Sequence, residues 1–287
     1  MHLIRAKSIL SAENGMNVYR GCTHGCIYCD SRSTCYGFTH AFEDVAVKEN
    51  APVLLEKALK SKRKTCMIGT GSMCDPYLPL EEEQEITRKC LEIIERYRFG
   101  LSVLTKSDRI LRDLPLLKSI NSHAKCVVQM TLTTFDDDLC RILEPNVCPT
   151  SRRVEVLETM RDEGIPTVVW LCPILPYIND TMENLDGILK ACLRAKVRGI
   201  LCFGMGVTLR EGSREYFYQA LDRHFPGMKE RYIARYGNAY ALESDRSDAL
   251  LERFYGVCRR EGLLCTPDEV FSYLRTYENP EEQLSLF

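Results

Sequence analysis

The strongest constraint on how this chain can fold is an alternation. Six short apolar runs, over 15–20, 66–69, 101–105, 126–132, 167–172 and 199–203, are each followed by a segment with helical spacing, over 52–60, 81–98, 108–119, 150–163, 181–194 and 213–223. Val53, Leu54, Ala58 and Leu59 show the one-sided apolar spacing of an amphipathic helix. Start and stop signals agree with this. Pro52 suits a first helical turn, and Glu81, Glu82 and Glu83 favour the positive end of a helix dipole. Asp108 stands near a start, and Gly100 and Gly164 stand where helices close. Strands alternating with helices imply a parallel sheet with right-handed crossovers. The class is therefore α/β, either an incomplete (β/α) barrel or a doubly wound sheet.

The chemically unusual residues favour the barrel. A cysteine-rich loop follows the first run, and residues 69–77 follow the second. Lys106 follows the third, and Thr131, Thr133 and Thr134 end the fourth. Residues 173–180 follow the fifth and 204–208 the sixth. Barrel active sites are built from the carboxyl ends of strands. The expectation is a partial (β/α)6 TIM-type barrel over 17–223, with a lead-in over 1–16 and a helical extension over 224–287. Residues 34–48 read as a polar connection. In the extension, 228–240, 249–260 (closing near Gly262) and 267–277 read as helices that cover the open side of the barrel or shape its pocket. The acidic tail near Glu281 reads as frayed.

Cys22, Cys26 and Cys29 are spaced C-x3-C-x2-C. A loop this short can turn three thiolates toward one point and hold three corners of a [4Fe–4S] cube. The fourth iron is then left for a small molecule. Gly21 and Gly25 suit a tightly wrapped loop, because glycine tolerates positive φ. The competing reading is a structural zinc site, which normally takes four protein ligands. His24 would have to be the fourth, yet it lies inside the loop.

Composition bounds the rest. The chain has 287 residues, 45% hydrophobic and 27% charged, as in ordinary globular proteins. A net charge of −2 gives no global positive field for nucleic acid. The dense run Lys60, Lys62, Arg63, Lys64 reads as a solvated loop. No signal-peptide pattern or membrane-length apolar run is visible, so a cytoplasmic location is expected. The fifteen cysteines then read mostly as small buried hydrophobes, among them Cys90, Cys126, Cys172, Cys192 and Cys202. A second cluster from Cys140, Cys148, Cys258 and Cys265 is the alternative, but their spacings match no compact ligand motif.

The stretch from Tyr19 to Cys29, Tyr-Arg-Gly-Cys-Thr-His-Gly-Cys-Ile-Tyr-Cys, resembles the signature loop of the radical SAM enzymes, and its wording resembles the spore photoproduct lyase-like branch. The resemblance implies a six-unit partial barrel, a [4Fe–4S] cluster on Cys22, Cys26 and Cys29, and S-adenosylmethionine chelated at the open iron. It implies one-electron cleavage to methionine and a 5′-deoxyadenosyl radical that takes hydrogen from a substrate. A reductant such as flavodoxin or ferredoxin is the implied partner.

The same resemblance assigns residues. Tyr28 stands where the family contacts adenine. The segment Gly69, Thr70, Gly71, Ser72, Met73, Cys74, Asp75 stands where many members hold the methionyl amino group, with Ser72 or Asp75 as acceptors. Lys106 and Thr131 match positions that meet the methionyl carboxylate, and a cation at a barrel mouth needs an anion. Cys172, Pro173 and Ile174 suggest an apolar wall for the adenine. Ser72 falls where the lyases carry their hydrogen-donating cysteine. Cys74, two residues on, falls on a serine that contacts the methionyl part, so Cys74 is either a hydrogen donor in a shifted register or a serine replacement. Asp30 replaces a tyrosine those lyases use in radical return, so their relay is not implied here. Asn179 and Asp180 face substrate or cap the next helix, with capping favoured for Asp180. Met205 and Arg210 are candidate substrate contacts or rim residues. The expected function is radical chemistry on an unidentified substrate: the resemblance suggests a lyase or repair-type reaction on DNA, with a peptide, a tRNA base or a small metabolite as equal alternatives. The alternative is a non-catalytic zinc or iron–sulfur binding module.

Overall fold

A computed structural model describes residues 1–279 of the chain; the acidic tail near Glu281 lies outside the described residues. The chain opens with β1 (His2–Ile4), β2 (Gly15–Met16), β3 (Tyr19–Arg20), β4 (Ala46–Lys48) and α1 (Ala51–Ser61). It continues through β5 (Met67–Thr70), α2 (Glu81–Gln84), α3 (Ile86–Arg96), β6 (Gly100–Thr105), α4 (Leu114–His123) and β7 (Cys126–Thr131). Then come α5 (Asp137–Leu143), α6 (Thr150–Asp162), β8 (Thr167–Trp170), α7 (Met182–Arg194) and β9 (Gly199–Leu201). The last elements are β10 (Gly206–Thr208), α8 (Ser213–His224), α9 (Met228–Tyr236), β11 (Ala241–Glu243), α10 (Ser247–Arg260) and α11 (Pro267–Arg275).

The main sheet runs β2-β5-β6-β7-β8-β9, and every neighbouring pair is parallel. All six residues of β7 are buried, as a parallel sheet covered on both faces requires. The edge strands β2 and β9 do not pair with each other, so the fold is the expected α/β partial barrel, left open. Beyond β9, Leu264 continues the ladder: Ile200 N donates to its carbonyl at 2.8 Å, and its own N donates to Arg198 O at 3.2 Å. The C-terminal segment thus covers the open edge. It also shapes the pocket, because β11 pairs antiparallel with β10 at the cavity wall.

Several local expectations are corrected. The run 15–20 splits: β2 joins the main sheet, whereas Tyr19 and Arg20 pair with Val47 and Ala46 of β4 in a separate sheet that also takes β1. The lead-in therefore holds two strands, β1 and β2, and the 34–48 connection holds β4. The segment 81–98 breaks at Glu85, which takes φ 51°. The stop after it is Arg98 at φ 56°, and Gly100 lies inside β6. The segment 108–119 begins as a 3-10 turn over Asp108–Asp113. The short α5 went unpredicted; the Asp136 side chain caps it by accepting from Asp138 N and Leu139 N. Asp180 does not cap α7, because Thr181 does so by accepting from Asn184 N. Asn179 and Asp180 are both buried.

Candidate active site

The cysteine loop is braced from two sides. Cys22 N donates to Phe42 O at 3.0 Å. Gly21 makes that approach feasible: it has φ +91°, and a Cβ there would stand 2.4 Å from the Phe42 carbonyl oxygen. On the other side, the end of α5 and the turn after it hold the loop. Ile27 N donates to Leu143 O at 2.9 Å, Asn146 N to His24 O at 3.1 Å and Asn146 Nδ2 to Thr23 O at 2.8 Å. With both ends fixed, Cys22, Cys26 and Cys29 line one cavity of about 650 Å³ at the carboxyl ends of the strands.

The three thiols sit in different fields. Hydrogen bonding from Cys74, aided by His24, holds Cys22 well below the usual thiol range. Burial pushes Cys26 and Cys29 up, although the Lys106 cation pulls both the other way. Cys74 is 6% exposed, donates to Gly21 O, and is kept protonated by burial.

Asp75 ties the second strand's loop to the third strand. Its Oδ1 accepts from Tyr77 N at 2.8 Å and Thr105 Oγ1 at 2.7 Å. Its Oδ2 accepts from Lys106 N at 2.7 Å and lies 3.5 Å from His24 Nδ1. A carboxylate offers about four acceptor positions; three accept hydrogen bonds, and His24 stands at the fourth. Asp75 is thus a strut, and Ser72, exposed on the cavity wall, is the acceptor left free. Gly71 beside it has φ +99°, and a Cβ there would lie 2.0 Å from Leu104 O. Only glycine allows this close approach of the two strand ends.

Lys106 reaches into the cavity with Nζ 5.9 Å from the Tyr28 ring centroid. Its ammonium makes no hydrogen bond or ion pair among the described residues, whereas its backbone is held by Asp75 and Cys148. Burial alone would lower its pKa, but Cys26, Glu144 and Asp75 more than offset that, so the ammonium persists. Behind it, Glu144 accepts from Tyr28 OH and pairs with Arg153 Nη1 at 2.5 Å; both charged side chains are fully buried. Arg153 Nη1 also donates to Thr131 O at 3.1 Å, which fixes the end of β7.

Of the residues singled out in the sequence, Tyr28, Gly71, Ser72, Cys74, Asp75, Lys106, Thr131 and Pro173 line this cavity with the three cysteines. Gly69 and Thr70 do not: they lie inside β5, in register with Gly15 and Met16. Ile174 is 2% exposed and packs into the core. Met205 lines the cavity, whereas Arg210 sits at its rim, 3.6 Å from Asp30 and hydrogen-bonded to Tyr240 OH. Sequence reasoning placed 204–208 at the mouth but missed Trp170, Phe203 and the pairing of β11 with β10 that complete the far wall. The glycines at 204 and 206 were the available signal. Gly204 takes φ +123°, and a Cβ on Gly206 would meet Leu242 O at 2.4 Å.

The donor set fits a cluster better than a single ion. Zinc with sulfur ligands at about 2.3 Å places those sulfurs about 3.8 Å apart. Among the described residues, the three loop sulfurs do not all lie within 4.8 Å of one another. His24 is 2% exposed, and its Nε2 has no hydrogen-bond partner. Cys140 and Cys148 flank Arg153, while Cys258 lies beside Cys265; these four form no common metal group among the described residues.

A family model described as the radical SAM superfamily matches residues 16–192. An uncharacterized protein of Methanocaldococcus jannaschii is 34% identical over 190 residues, covering 65% of this chain and 70% of its own length. An uncharacterized protein of Mycobacterium tuberculosis (strain H37Rv) is 29% identical over 251 residues, covering 83% of this chain and 71% of its own. Among solved structures, a spore photoproduct lyase mutant with bound AdoMet and dinucleoside spore photoproduct matches with a TM-score of 0.63. That match has 12% identity and covers 92% of this chain and 80% of the other, so the likeness is one of fold.

Proposed function

The chain belongs to the radical SAM superfamily, and from that premise we propose which residues hold the family's cofactors and what the site acts on. The cofactors are a [4Fe–4S] cluster and S-adenosylmethionine. When bound and given an electron by an external reductant, they supply cleavage of the sulfonium to methionine and a 5′-deoxyadenosyl radical.

Cys22, Cys26 and Cys29 hold three irons. The Lys106 ammonium meets the methionyl carboxylate, with Thr131 beside it at the end of β7. Ser72 and the backbone at Gly71 take the methionyl ammonium, and Asp75 holds that loop in place. Tyr28 and Pro173 flank the adenine. Cys74, protonated and at the cavity wall, would donate a hydrogen atom to the substrate radical, and the thiyl radical left on its sulfur would return to the thiol by taking one electron from the external reductant and a proton. Flavodoxin or ferredoxin serves as the reductant.

For the substrate, we favour a lyase or repair-type reaction on DNA. Phe203, 58% exposed, stands edge-on to Trp170 with ring centroids 5.8 Å apart at the cavity wall. Exposed aromatic faces of this kind stack on bases, each worth about 1–3 kcal/mol. A lesion within a duplex would have to be flipped out to reach them.

The observation that carries the cofactor reading is the convergence of three cysteines and one unpartnered lysine on a single cavity. The test is anaerobic reconstitution with iron and sulfide, followed by dithionite and S-adenosylmethionine. Release of 5′-deoxyadenosine is expected; an intact, reducible cluster that releases none defeats the reading. Deuterium transfer from labelled oligonucleotides into that product tests the substrate. A Cys74→Ala variant that still completes turnover rejects the donor role.

A further inference from the structure

Outside the cavity, one group of side chains has the composition and placement of a metal site. His2, His40 and Asp44 each offer a ligand atom, and these atoms all lie within 4.8 Å of one another. All three side chains are half-buried.

The scaffold holds them firmly. His2 lies in β1, in register with Ala46 of β4, and its N donates to Val45 O at 3.0 Å. Asp44 belongs to a tight turn in which its N donates to Ala41 O at 3.0 Å. The His40 ring packs edge-on against His2 with centroids 4.7 Å apart, and edge-on against Phe38 at 5.7 Å.

The hydrogen bonds also orient the imidazoles. His40 Nδ1 lies 2.9 Å from Ala41 O, so it carries a proton and presents Nε2 with a free lone pair. A backbone carbonyl in this position orients ligating histidines at metal sites. His2 Nδ1 meets Asp44 Oδ2 at 3.0 Å, and Asp44 Oδ1 accepts from the N-terminal amine at 3.1 Å.

We propose that His2, His40 and Asp44 form a second metal site, distinct from the cysteine loop, that binds one first-row divalent cation of zinc type. Two imidazoles and a carboxylate are a donor set that zinc accepts, with water completing the coordination. Zinc ligands at about 2.0–2.1 Å stand about 3.4 Å apart, so modest rotations of half-buried side chains close the site. The cation takes the place of the proton that His2 and Asp44 share. It pins the first strand to the turn whose Phe42 carbonyl braces Cys22. None of the three ligand residues lines the cavity.

The test is titration of zinc into tag-free, full-length protein carrying its iron–sulfur cluster, followed by calorimetry, with cobalt absorption as a second readout. The wild type is expected to take up one equivalent. His40→Gln and Asp44→Asn are each expected to weaken it by at least about 100-fold, since even outer-shell changes cost 10–100-fold. Iron content and circular dichroism should be unchanged, which separates lost ligation from lost folding. Uptake of equal strength in the wild type and both folded variants overturns the proposal, as does a wild type that takes up no zinc.

Discussion

Two buried constellations in this protein use the same three residue types to different ends. In one, Tyr19 OH donates to Glu81, which pairs with Arg112 at 3.0 Å. In the other, Tyr28 OH donates to Glu144, which pairs with Arg153 at 2.5 Å. Glu81 also accepts from Thr87 N at 3.0 Å and Arg88 N at 3.1 Å, and Arg112 is 27% exposed. The far constellation therefore has spare partners and a route to water. Glu144 and Arg153 are 0% exposed, and the Lys106 cation adds to the charge Glu144 must balance. The first constellation staples a helix start; the second backs the wall of the cavity. Context decides whether a buried ion pair is a fastening or part of a site's electrostatics.

The largest expected effect breaks that contrast on the cavity side. Glu144→Gln leaves Arg153 without its counter-charge and removes one of the charges that support Lys106, and breaking a fully buried pair costs about 3–5 kcal/mol. Urea unfolding should show the loss, and 5′-deoxyadenosine release should fall with it. Glu81→Gln is expected to cost about 1–3 kcal/mol, because the remaining donors can turn to the amide or to water. Release per cluster should stay at the wild-type level; a matching fall would erase the distinction.

A pH series sharpens the same point. Burial raises the Glu144 pKa, but Arg153 and Lys106 more than reverse this, so it is depressed on folding. A depressed carboxyl stabilises the fold fully above its unfolded value near 4.3, and that stabilisation is lost as pH falls through the folded value. Glu144→Gln should therefore flatten the acid limb of the stability curve; an unchanged limb would refute the assignment. The smallest effects come from the phenols. Tyr28→Phe and Tyr19→Phe should each cost about 1 kcal/mol. Only the former should weaken S-adenosylmethionine binding, measured by equilibrium dialysis.

What the sequence made legible follows from range. The six strands, the cysteine spacing and Lys106 at a strand end are local patterns, and the fold keeps them. The buried constellations are not local: Tyr28 meets Glu144 across 116 residues. No spacing announces that contact. Asp75 reads as a ligand-binding carboxylate until Tyr77, Thr105, Lys106 and His24 are seen around it. The wall from β10 and β11 is likewise a pairing of distant segments, each too short to carry a strand signal.

The most direct measurement is the electron paramagnetic resonance spectrum of the dithionite-reduced protein, recorded before and after adding S-adenosylmethionine. The account predicts a [4Fe–4S] signal that shifts when the methionyl group takes the open iron, and its loss in Cys26→Ala. A signal indifferent to S-adenosylmethionine, or a colourless protein holding zinc on Cys22, Cys26 and Cys29, would contradict it.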